Sequence, residues 1–244
     1  MAQAQAARRK RVAVVTGVTS GIGEALARQL AASWKVIGVG RGEERLAAAA
    51  RAGGFVPVVA DLADVAARAH AVEAILAASD GRVDALINNA AECVYELPTA
   101  LGEAEWLHLL QVNLLAAVRL TAGLKPRLEG GRVVNVSSIV TRFLAAPRFG
   151  PYAVSKAALE EWTRALRLEL AAQGTGVTLV APGLVDTPIY DKVAGFEGPR
   201  QKLREAVPMW LAPADVAAAV VWTLEQPAHV VVSELALVPR GQAR

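Results

Sequence analysis

Tyr152 and Lys156 are the pair of residues whose types and spacing point most directly to chemistry. They lie four residues apart in the segment Pro151–Ala158, which leads into an amphipathic stretch through Leu170. Residues four apart share one face of a helix, so the ammonium group is expected beside the phenol. A free tyrosine has a pKa near ~10, and a neighbouring cation lowers it by favouring the phenolate. The pair indicates an acid/base for an alcohol oxygen, although a tyrosine near a solvated lysine has the same spacing.

The rest of the chain alternates between apolar, often β-branched runs and helical stretches. Strands are expected at 12–16, 35–40, 55–60, 83–88, 132–137, 177–181 and 230–237, and helices at 24–32, 43–52, 64–78, 103–125, 152–172 and 214–225. Continuous apolar strands are typical of a parallel sheet covered by helices on both faces. The pattern predicts a single-domain, Rossmann-type α/β fold with a doubly wound parallel sheet of about seven strands.

Composition narrows the class of protein. The chain of 244 residues suits one domain at 12–244, preceded by a basic tail at 1–11. No apolar run reaches the ~18 residues of a membrane span, and the first residues lack the apolar core of a secretory signal. The single cysteine, Cys93, cannot form an intrachain disulfide, which favours a reducing, cytoplasmic location. The three histidines lack metal-ligand spacing, so no metal site is predicted.

The basic cluster Arg8-Arg9-Lys10-Arg11 offers an alternative to an enzyme, because such a cluster can contact nucleic acid. The net charge is only +3, however, and no second basic run with interleaved aromatic residues follows. A solvated tail is the preferred interpretation, and no nucleic-acid or membrane partner is predicted.

A glycine-rich turn follows the first expected strand. Glycines at 17, 21 and 23 allow the backbone to approach a pyrophosphate closely, and the start of the next helix offers free N–H groups to an anion. Thr19 and Ser20 add hydroxyl donors. A plain strand-to-helix turn has the same glycines, but the position of this one after the first strand favours a dinucleotide site.

The end of the second strand bears on the choice of coenzyme. An NAD enzyme usually has an acid there for the ribose 2′-hydroxyl, whereas this chain has Arg41. Because arginine pairs well with a 2′-phosphate, NADP is predicted over NAD. Asp61, at the end of the third strand, is expected to accept a hydrogen bond from the adenine amino group.

Taken together, the motifs resemble those of the short-chain dehydrogenases/reductases over nearly the whole chain, from about Val12 to Val238. In the order of that family they are the 16–23 turn, Asp61-Leu62, Asn88-Asn89-Ala90, Asn113, Ser137-Ser138, Tyr152 with Lys156, and Pro182-Gly183 with Thr187. The resemblance implies an NADP-dependent oxidoreductase that interconverts a secondary alcohol and a carbonyl compound. A non-catalytic NAD(P)-binding sensor on the same fold is the alternative.

The resemblance also implies roles for individual residues. Tyr152 would be the acid/base, and Lys156 would lower its pKa and hold the nicotinamide ribose. Ser138 would bind the substrate oxygen, and Asn113 would support a water-linked proton path to Lys156. Besides Tyr152 and Lys156, the coenzyme would contact Gly17, Thr19, Ser20, Gly21, Ile22, Gly23, Arg41, Asp61, Leu62, Asn89, Ala90, Pro182, Gly183, Val185 and Thr187.

Two positions depart from the family pattern, since Ala91 and Thr141 stand where the family usually or often has glycine. Segments 40–46 and 227–239 are similar to the NADP-dependent branch that oxidises serine-like and other 3-hydroxy acids. The segment 185–211 is predicted to be a substrate lid, with a fixed loop as the alternative. The family resemblance further implies a homotetramer or a dimer.

Overall fold

The structure, a computed structural model, describes residues 10–143 and 145–242. Its centre is one sheet of seven parallel strands in the order β3-β2-β1-β4-β5-β6-β7. The strands are β1 (Arg11–Thr16), β2 (Trp34–Gly40), β3 (Val56–Val59), β4 (Ala85–Asn88), β5 (Arg132–Val136), β6 (Gly176–Pro182) and β7 (Glu234–Leu237). The helices are α1 (Gly21–Ala31), α2 (Glu43–Gly53), α3 (Val65–Ala78), α4 (Glu103–Leu110), α5 (Ala116–Leu124), α6 (Gly150–Ala171), α7 (Glu197–Ala206) and α8 (Pro213–Leu224).

Alternation of side chains along each strand builds a separate core on each face of the sheet. In β1, Ala13 and Val15 belong to the core that also contains side chains of α1, α2 and α8. Val12 and Val14 belong to the opposite core, with side chains of α3, α5 and α6. Both faces are therefore covered, which explains the continuous apolar strands. The predicted single-domain, doubly wound parallel sheet is confirmed.

Several predicted boundaries are wrong. The helix expected at 103–125 is divided by a π-helical turn, Gln111–Leu115, between α4 and α5. Helix α6 begins at Gly150 rather than Tyr152, because Pro151 lacks an N–H and suits the first helical turn. The strands expected at 55–60, 83–88 and 230–237 shorten to four residues each. Helix α7 was not predicted, since it lies inside the segment expected to be a lid.

No uninterrupted apolar run reaches ~18 residues, as predicted, but one helical stretch meets a test of length and mean hydropathy. The helical stretch Glu103–Arg127 is long and apolar enough by length and composition alone, and it is the one such stretch in the part of the chain that the structure describes. The core helix of a soluble protein passes the same test, and 44% of its apolar window is buried inside the molecule. The stretch is therefore weak evidence for a membrane span.

Arg11 belongs to the sheet and not to a basic tail. It begins β1, its guanidinium stacks 3.9 Å from the centre of the Trp34 ring, and its Nη2 lies 2.6 Å from Glu225 Oε1. The tail predicted at 1–11 is therefore too long at its carboxyl end. Arg8 and Arg9 lie outside the described residues.

Candidate active site

A cavity of about 730 Å³ lies beyond the carboxyl ends of the strands, where ligands bind in sheets of this type. It unites most of the side chains expected to bind a coenzyme. The predicted residues that line it are Gly17, Thr19, Ser20, Gly21, Ile22, Arg41, Asp61, Leu62, Asn89, Ala90, Tyr152, Lys156 and Thr187. The cavity runs from the end of β2 to the start of α6, so one elongated ligand can contact both ends.

The glycine turn is shaped for a ligand that lies close to the backbone. Gly17 and Gly21 have φ values of +75° and +58°, which other residues rarely adopt. A Cβ on Gly23 would lie 2.2 Å from the carbonyl oxygen of Gly17, so the turn and α1 pack too closely for any side chain. Ser20 precedes α1 and makes no side-chain capping bond, so its hydroxyl is free to donate to an anion. This cradle fits a pyrophosphate.

The loop after β4 is held against the glycine turn by Thr16. The Thr16 hydroxyl accepts hydrogen bonds from the backbone N–H groups of Asn89 and Ala90, both at 2.9 Å, and the Asn89 amide donates to the carbonyl oxygen of Thr16 at 2.9 Å. Asn89 therefore contributes to the site mainly by holding the wall of the cavity in place. Thr16 was not among the predicted site residues, because its role depends on a strand that is distant in sequence.

The far end of the cavity, at β2, carries two arginines. Arg41 has a half-exposed side chain whose Nη1 lies 2.8 Å from Glu92 Oε1 in the loop after β4. The other Glu92 oxygen lies 2.8 Å from His108 Nε2. Arg45, whose Nη2 donates to the carbonyl oxygen of Thr19 at 3.5 Å, lines the same cavity. Arg45 lies in the segment 40–46 that is similar to the NADP-dependent branch but was not predicted to bind the coenzyme, and the sequence motifs gave no signal for Glu92.

Asp61 and Leu62 form the neighbouring wall. Asp61 accepts a hydrogen bond from the backbone N–H of Ala63 at 3.0 Å and keeps its exposure to the cavity. The buried Arg68 donates to the carbonyl oxygen of Leu62 at 2.8 Å and to the Gln111 side chain at 2.6 Å. Arg68 thereby joins this wall to the π-helical turn.

Tyr152 and Lys156 share one face of α6 at the other end of the cavity. The Lys156 ammonium lies 5.9 Å from the centre of the Tyr152 ring and donates to the carbonyl oxygen of Val136 at 2.8 Å. Burial lowers the pKa of Lys156 to about 8, while Cys93 and Glu160 act in the opposite direction. The predicted adjacency on one helix face is confirmed.

The expected effect of the lysine on the phenol does not hold for the protein by itself. Burial raises the pKa of Tyr152 well above its usual value, neighbouring Cys93 and Tyr190 add to the rise, and a hydrogen bond with Ser138 opposes it. Desolvation of the phenolate is the largest of these effects, and Lys156 is not among the groups that shift this pKa. The phenol is therefore protonated at neutral pH.

Asn113 joins the loop after β4 to helix α6. Its amide pairs with both backbone groups of Glu92, accepting from the N–H and donating to the carbonyl oxygen at 2.8 Å each. It also donates to the Ser155 hydroxyl at 2.9 Å, which in turn donates to the carbonyl oxygen of Tyr152 at 2.7 Å. Asn113 does not line the cavity. The π-helical turn that carries it is a feature often found at functional sites.

Ser138 stands at the start of a short turn, Ile139–Thr141, that is anchored by a buried carboxylate. Glu160 accepts hydrogen bonds from the Ser137 hydroxyl at 2.7 Å and from the Thr141 hydroxyl at 2.8 Å. Thr141, where the family often has glycine, thus ties the serine turn to α6. Ser138 does not itself line the cavity, although its hydroxyl reaches Tyr152.

The remaining predicted coenzyme contacts lie behind the cavity. Gly23 packs on the backbone of Gly17. Pro182 pairs with β7, Gly183 donates a backbone hydrogen bond to β7, and Val185 is buried beside Leu211. Of the residues that follow β6, Thr187 reaches the cavity and contacts the glycine turn, since a Cβ on Gly21 would lie 3.1 Å from its Cγ2. Gly23, Pro182, Gly183 and Val185 therefore shape the site without lining the cavity.

The segment 185–211 contributes Thr187, Pro188 and Ile189 to the lining of the cavity. Its ends meet, since the Asp186 N–H donates to the carbonyl oxygen of Leu211 at 2.9 Å. Between them, Phe196 packs against Tyr95, Phe149 and Tyr190 with ring centres 5.1–5.3 Å apart. Tilted and edge-to-face contacts between aromatic rings thus hold the middle of the segment against the body of the protein.

Comparison with known proteins agrees with this geometry. The model of the short chain dehydrogenase family matches residues 11–197. The chain belongs to the short-chain dehydrogenase family. The predicted family and its enzyme class, an oxidoreductase, are thereby confirmed.

Individual relatives cover nearly the full length of this short-chain dehydrogenase. An uncharacterized oxidoreductase of Staphylococcus epidermidis is 32% identical over 238 residues, which cover 95% of this chain and 98% of the relative. Serine 3-dehydrogenase of Agrobacterium fabrum is 32% identical over 241 residues, 94% of both chains. The closed form of serine dehydrogenase complexed with NADP⁺ superimposes with a TM-score of 0.85 and 27% identity, covering 96% of both chains.

Proposed function

We propose that this protein is an NADP-dependent oxidoreductase that interconverts a secondary alcohol and a carbonyl compound, with Tyr152 as the acid/base. One observation carries the proposal. A single cavity has a glycine cradle at its centre, the arginines at 41 and 45 at one end, and the phenol of Tyr152 beside Lys156 at the other. An arrangement of this kind fits an elongated dinucleotide and a small substrate.

Each part of the coenzyme has residues that would hold it. The glycine turn and the start of α1 would hold the pyrophosphate, Arg41 and Arg45 the 2′-phosphate, and Asp61 with Leu62 the adenine. Lys156 would hold the nicotinamide ribose and Thr187 the carboxamide. When bound, the coenzyme supplies or accepts the hydride.

Side chains of the protein itself would transfer the proton. A phenol with a raised pKa is protonated at neutral pH and is therefore suited to donate its proton to the oxygen of a carbonyl as that oxygen gains negative charge. The Ser138 hydroxyl, within hydrogen-bonding reach of the same phenol, would donate to that oxygen as well. The buried, positively charged Lys156 would stabilise the tyrosinate left behind. These features would serve the protonation step of carbonyl reduction.

The lid segment (residues 185–211) would admit and enclose the substrate. Apolar side chains line the cavity near Tyr152, among them Cys93, Val94 and Ile189. The lid arginines Arg200 and Arg204 already pair with Asp191 and Asp186. These features favour an uncharged ketone.

Serine-like 3-hydroxy acids are the second candidate substrate class, favoured by the similarity to serine 3-dehydrogenase. A substrate carboxylate would have to displace a lid aspartate from its arginine. Turnover of matched pairs, a 3-oxo acid and its methyl ester, separates the two classes. Faster turnover of the 3-oxo acid than of its methyl ester would favour the hydroxy-acid class.

Tyr152→Phe tests the reaction. We expect turnover in an NADPH-oxidation assay to fall by about 10²–10⁴, since general acid catalysis contributes this much, while NADPH binding measured by fluorescence stays close to that of the parent. Tyr95→Phe, which removes the hydroxyl of a neighbouring aromatic residue, is the control and should lose far less. Turnover retained in Tyr152→Phe would refute the role of Tyr152. Tight NADPH binding without turnover on a broad carbonyl panel would favour a sensor.

The assembly and location of the protein remain predictions. Exposed apolar side chains lie on α6 and α8, where Leu168 is 81% exposed and Trp222 is 53% exposed, and they support contacts between copies in a homotetramer or dimer. Light scattering coupled to size-exclusion chromatography would measure the mass of the assembly. A cytoplasmic location is consistent with the single cysteine and can be tested by cell fractionation.

A further inference from the structure

Glu92 occupies a position that the proposed reaction does not use. Its carboxylate makes two contacts at 2.8 Å, one with Arg41 Nη1 and one with His108 Nε2. Its side chain lines the coenzyme cavity and is 28% exposed. The backbone of the same residue is fixed by the Asn113 amide. Glu92 therefore holds a negative charge firmly at the end of the cavity where Arg41 lies.

The strand order shows what the contact between Arg41 and Glu92 does to the cavity. Arg41 follows β2 and Glu92 follows β4, and β1 with its glycine turn lies between them. Because neighbouring strands are spaced about 4.8 Å apart, the two loops begin about 10 Å apart. The ion pair thus joins the two walls on either side of the glycine cradle, and the arginine best placed for a 2′-phosphate already has a carboxylate partner.

We propose that Glu92 sets the coenzyme selectivity of this protein by competing with the 2′-phosphate of NADP(H) for Arg41. The proposal rests on the coenzyme site proposed above. NADP(H) must draw Arg41 away from Glu92 and bring its own negative charge near that carboxylate. NAD(H) has no 2′-phosphate to pair with Arg41. Glu92 therefore weakens the binding of the phosphorylated coenzyme more than that of the unphosphorylated one.

His108 explains why the carboxylate stays in place when Arg41 leaves it. Its Nε2 contacts the second oxygen of Glu92, and its residue lies on α4, away from the β2 loop. Glu92 therefore keeps one partner in both arrangements. Arg45, which lines the same end of the cavity, offers a second cation for the phosphate while Arg41 changes partner.

Glu92→Gln tests the proposal, because it removes the charge and keeps the shape of the side chain. Dissociation constants for NADPH and NADH are measured by fluorescence titration on the full chain, with 2′-phosphate as the one difference between the probes. We expect the constant for NADPH to fall about two- to five-fold, the range set by a partly exposed ion pair. The constant for NADH should change less than about two-fold in the same range.

Four further variants complete the test. Arg41→Gln should weaken NADPH binding, and Glu92→Gln added to it should bring a smaller gain than in the parent, because the competition for Arg41 is gone and only the repulsion between the carboxylate and the phosphate is removed. Glu44→Gln is the control. Glu44 carries an equal charge on α2, near the same end of the cavity, and within residues 10–143 and 145–242 it forms no ion pair with Arg41. This substitution should leave the ratio of the two constants nearly unchanged. Glu92→Asp, which keeps the charge but withdraws it from Arg41, should lie between the parent and Glu92→Gln.

The outcomes separate this inference from the function on which it rests. A parent protein that binds neither coenzyme refutes the proposed function. A parent that binds NADPH with no gain in Glu92→Gln, or an equal gain in the Arg41→Gln background or in Glu44→Gln, refutes the selectivity role of Glu92 alone. Thermal unfolding of each variant is recorded first, and if Glu92→Gln does not fold, Glu92→Asp decides by the same criteria.

Discussion

Replacement of Asn113 by leucine should damage both stability and turnover, because Asn113 joins two walls of the site. The substitution keeps a similar volume and removes three hydrogen bonds of 2.8–2.9 Å, two to the Glu92 backbone and one to Ser155. A buried hydrogen bond contributes about 1 kcal/mol net, so the loss should be about 3 kcal/mol. For a chain of this size, that corresponds to a fall in Tm of about 6–12 °C.

The same change should disturb the chemistry through the backbone of Tyr152. Ser155 donates to the carbonyl oxygen of Tyr152, so the loss of its partner Asn113 loosens the turn of α6 that carries the phenol. A displacement of about 1 Å can cost on the order of 100-fold in rate. Scanning calorimetry gives the stability, and NADPH oxidation below the unfolding transition gives the turnover of the folded protein.

Asn135→Leu is the matched control. Asn135 is also fully buried, and it bonds Asn88 and Thr163 at 2.8 and 2.9 Å without contacting the loop of Glu92. It should lose about 2 kcal/mol of stability and keep much more turnover than Asn113→Leu. Equal loss of turnover in both variants, or a Tm of Asn113→Leu within about 2 °C of the parent, a shift worth 1 kcal/mol or less, would refute the reasoning.

Three further predictions concern the glycine turn and the charge of Lys156. Gly23→Ala places a Cβ 2.2 Å from the Gly17 carbonyl oxygen, so NADPH binding should weaken by at least about ten-fold in a titration, given the cost of overpacking. The specificity constant kcat/KM for carbonyl reduction should decline as the pH rises through about 8, because the buried Lys156 loses its proton there. Glu160→Gln should move that decline to lower pH, because Glu160 raises the pKa of Lys156; a pH–rate profile that does not move would contradict this role.

Local patterns in the sequence were sufficient to predict most of the strands and helices, because the environment of these elements repeats along the chain. Continuous apolar strands and alternating helices require a covered parallel sheet, whichever side chains fill it. The glycine turn was identifiable because only glycine tolerates its positive φ values and the close packing at Gly23. The pairing of Tyr152 with Lys156 followed from helix periodicity alone.

What the sequence could not provide were contacts between segments far apart in the chain. Arg41 contacts Glu92, Asn113 contacts Glu92 and Ser155, and Arg68 contacts Gln111. The conformations of the loops decide these contacts, and loops follow no periodic pattern. The π-helical turn at Gln111–Leu115 and helix α7 were likewise missed, since apolar periodicity continues through the first and the second is strongly polar.

The sequence by itself therefore determined the sheet, the cradle for a phosphate and the pairing of a phenol with an ammonium group, because each depends on residues adjacent in the chain or one helical turn apart. Only the tertiary structure decided the protonation of that phenol and the partner of Arg41. A pKa depends on how much water the surrounding segments exclude, and the partner of a charge depends on which loops meet. For Tyr152, burial is the largest of the effects that raise its pKa.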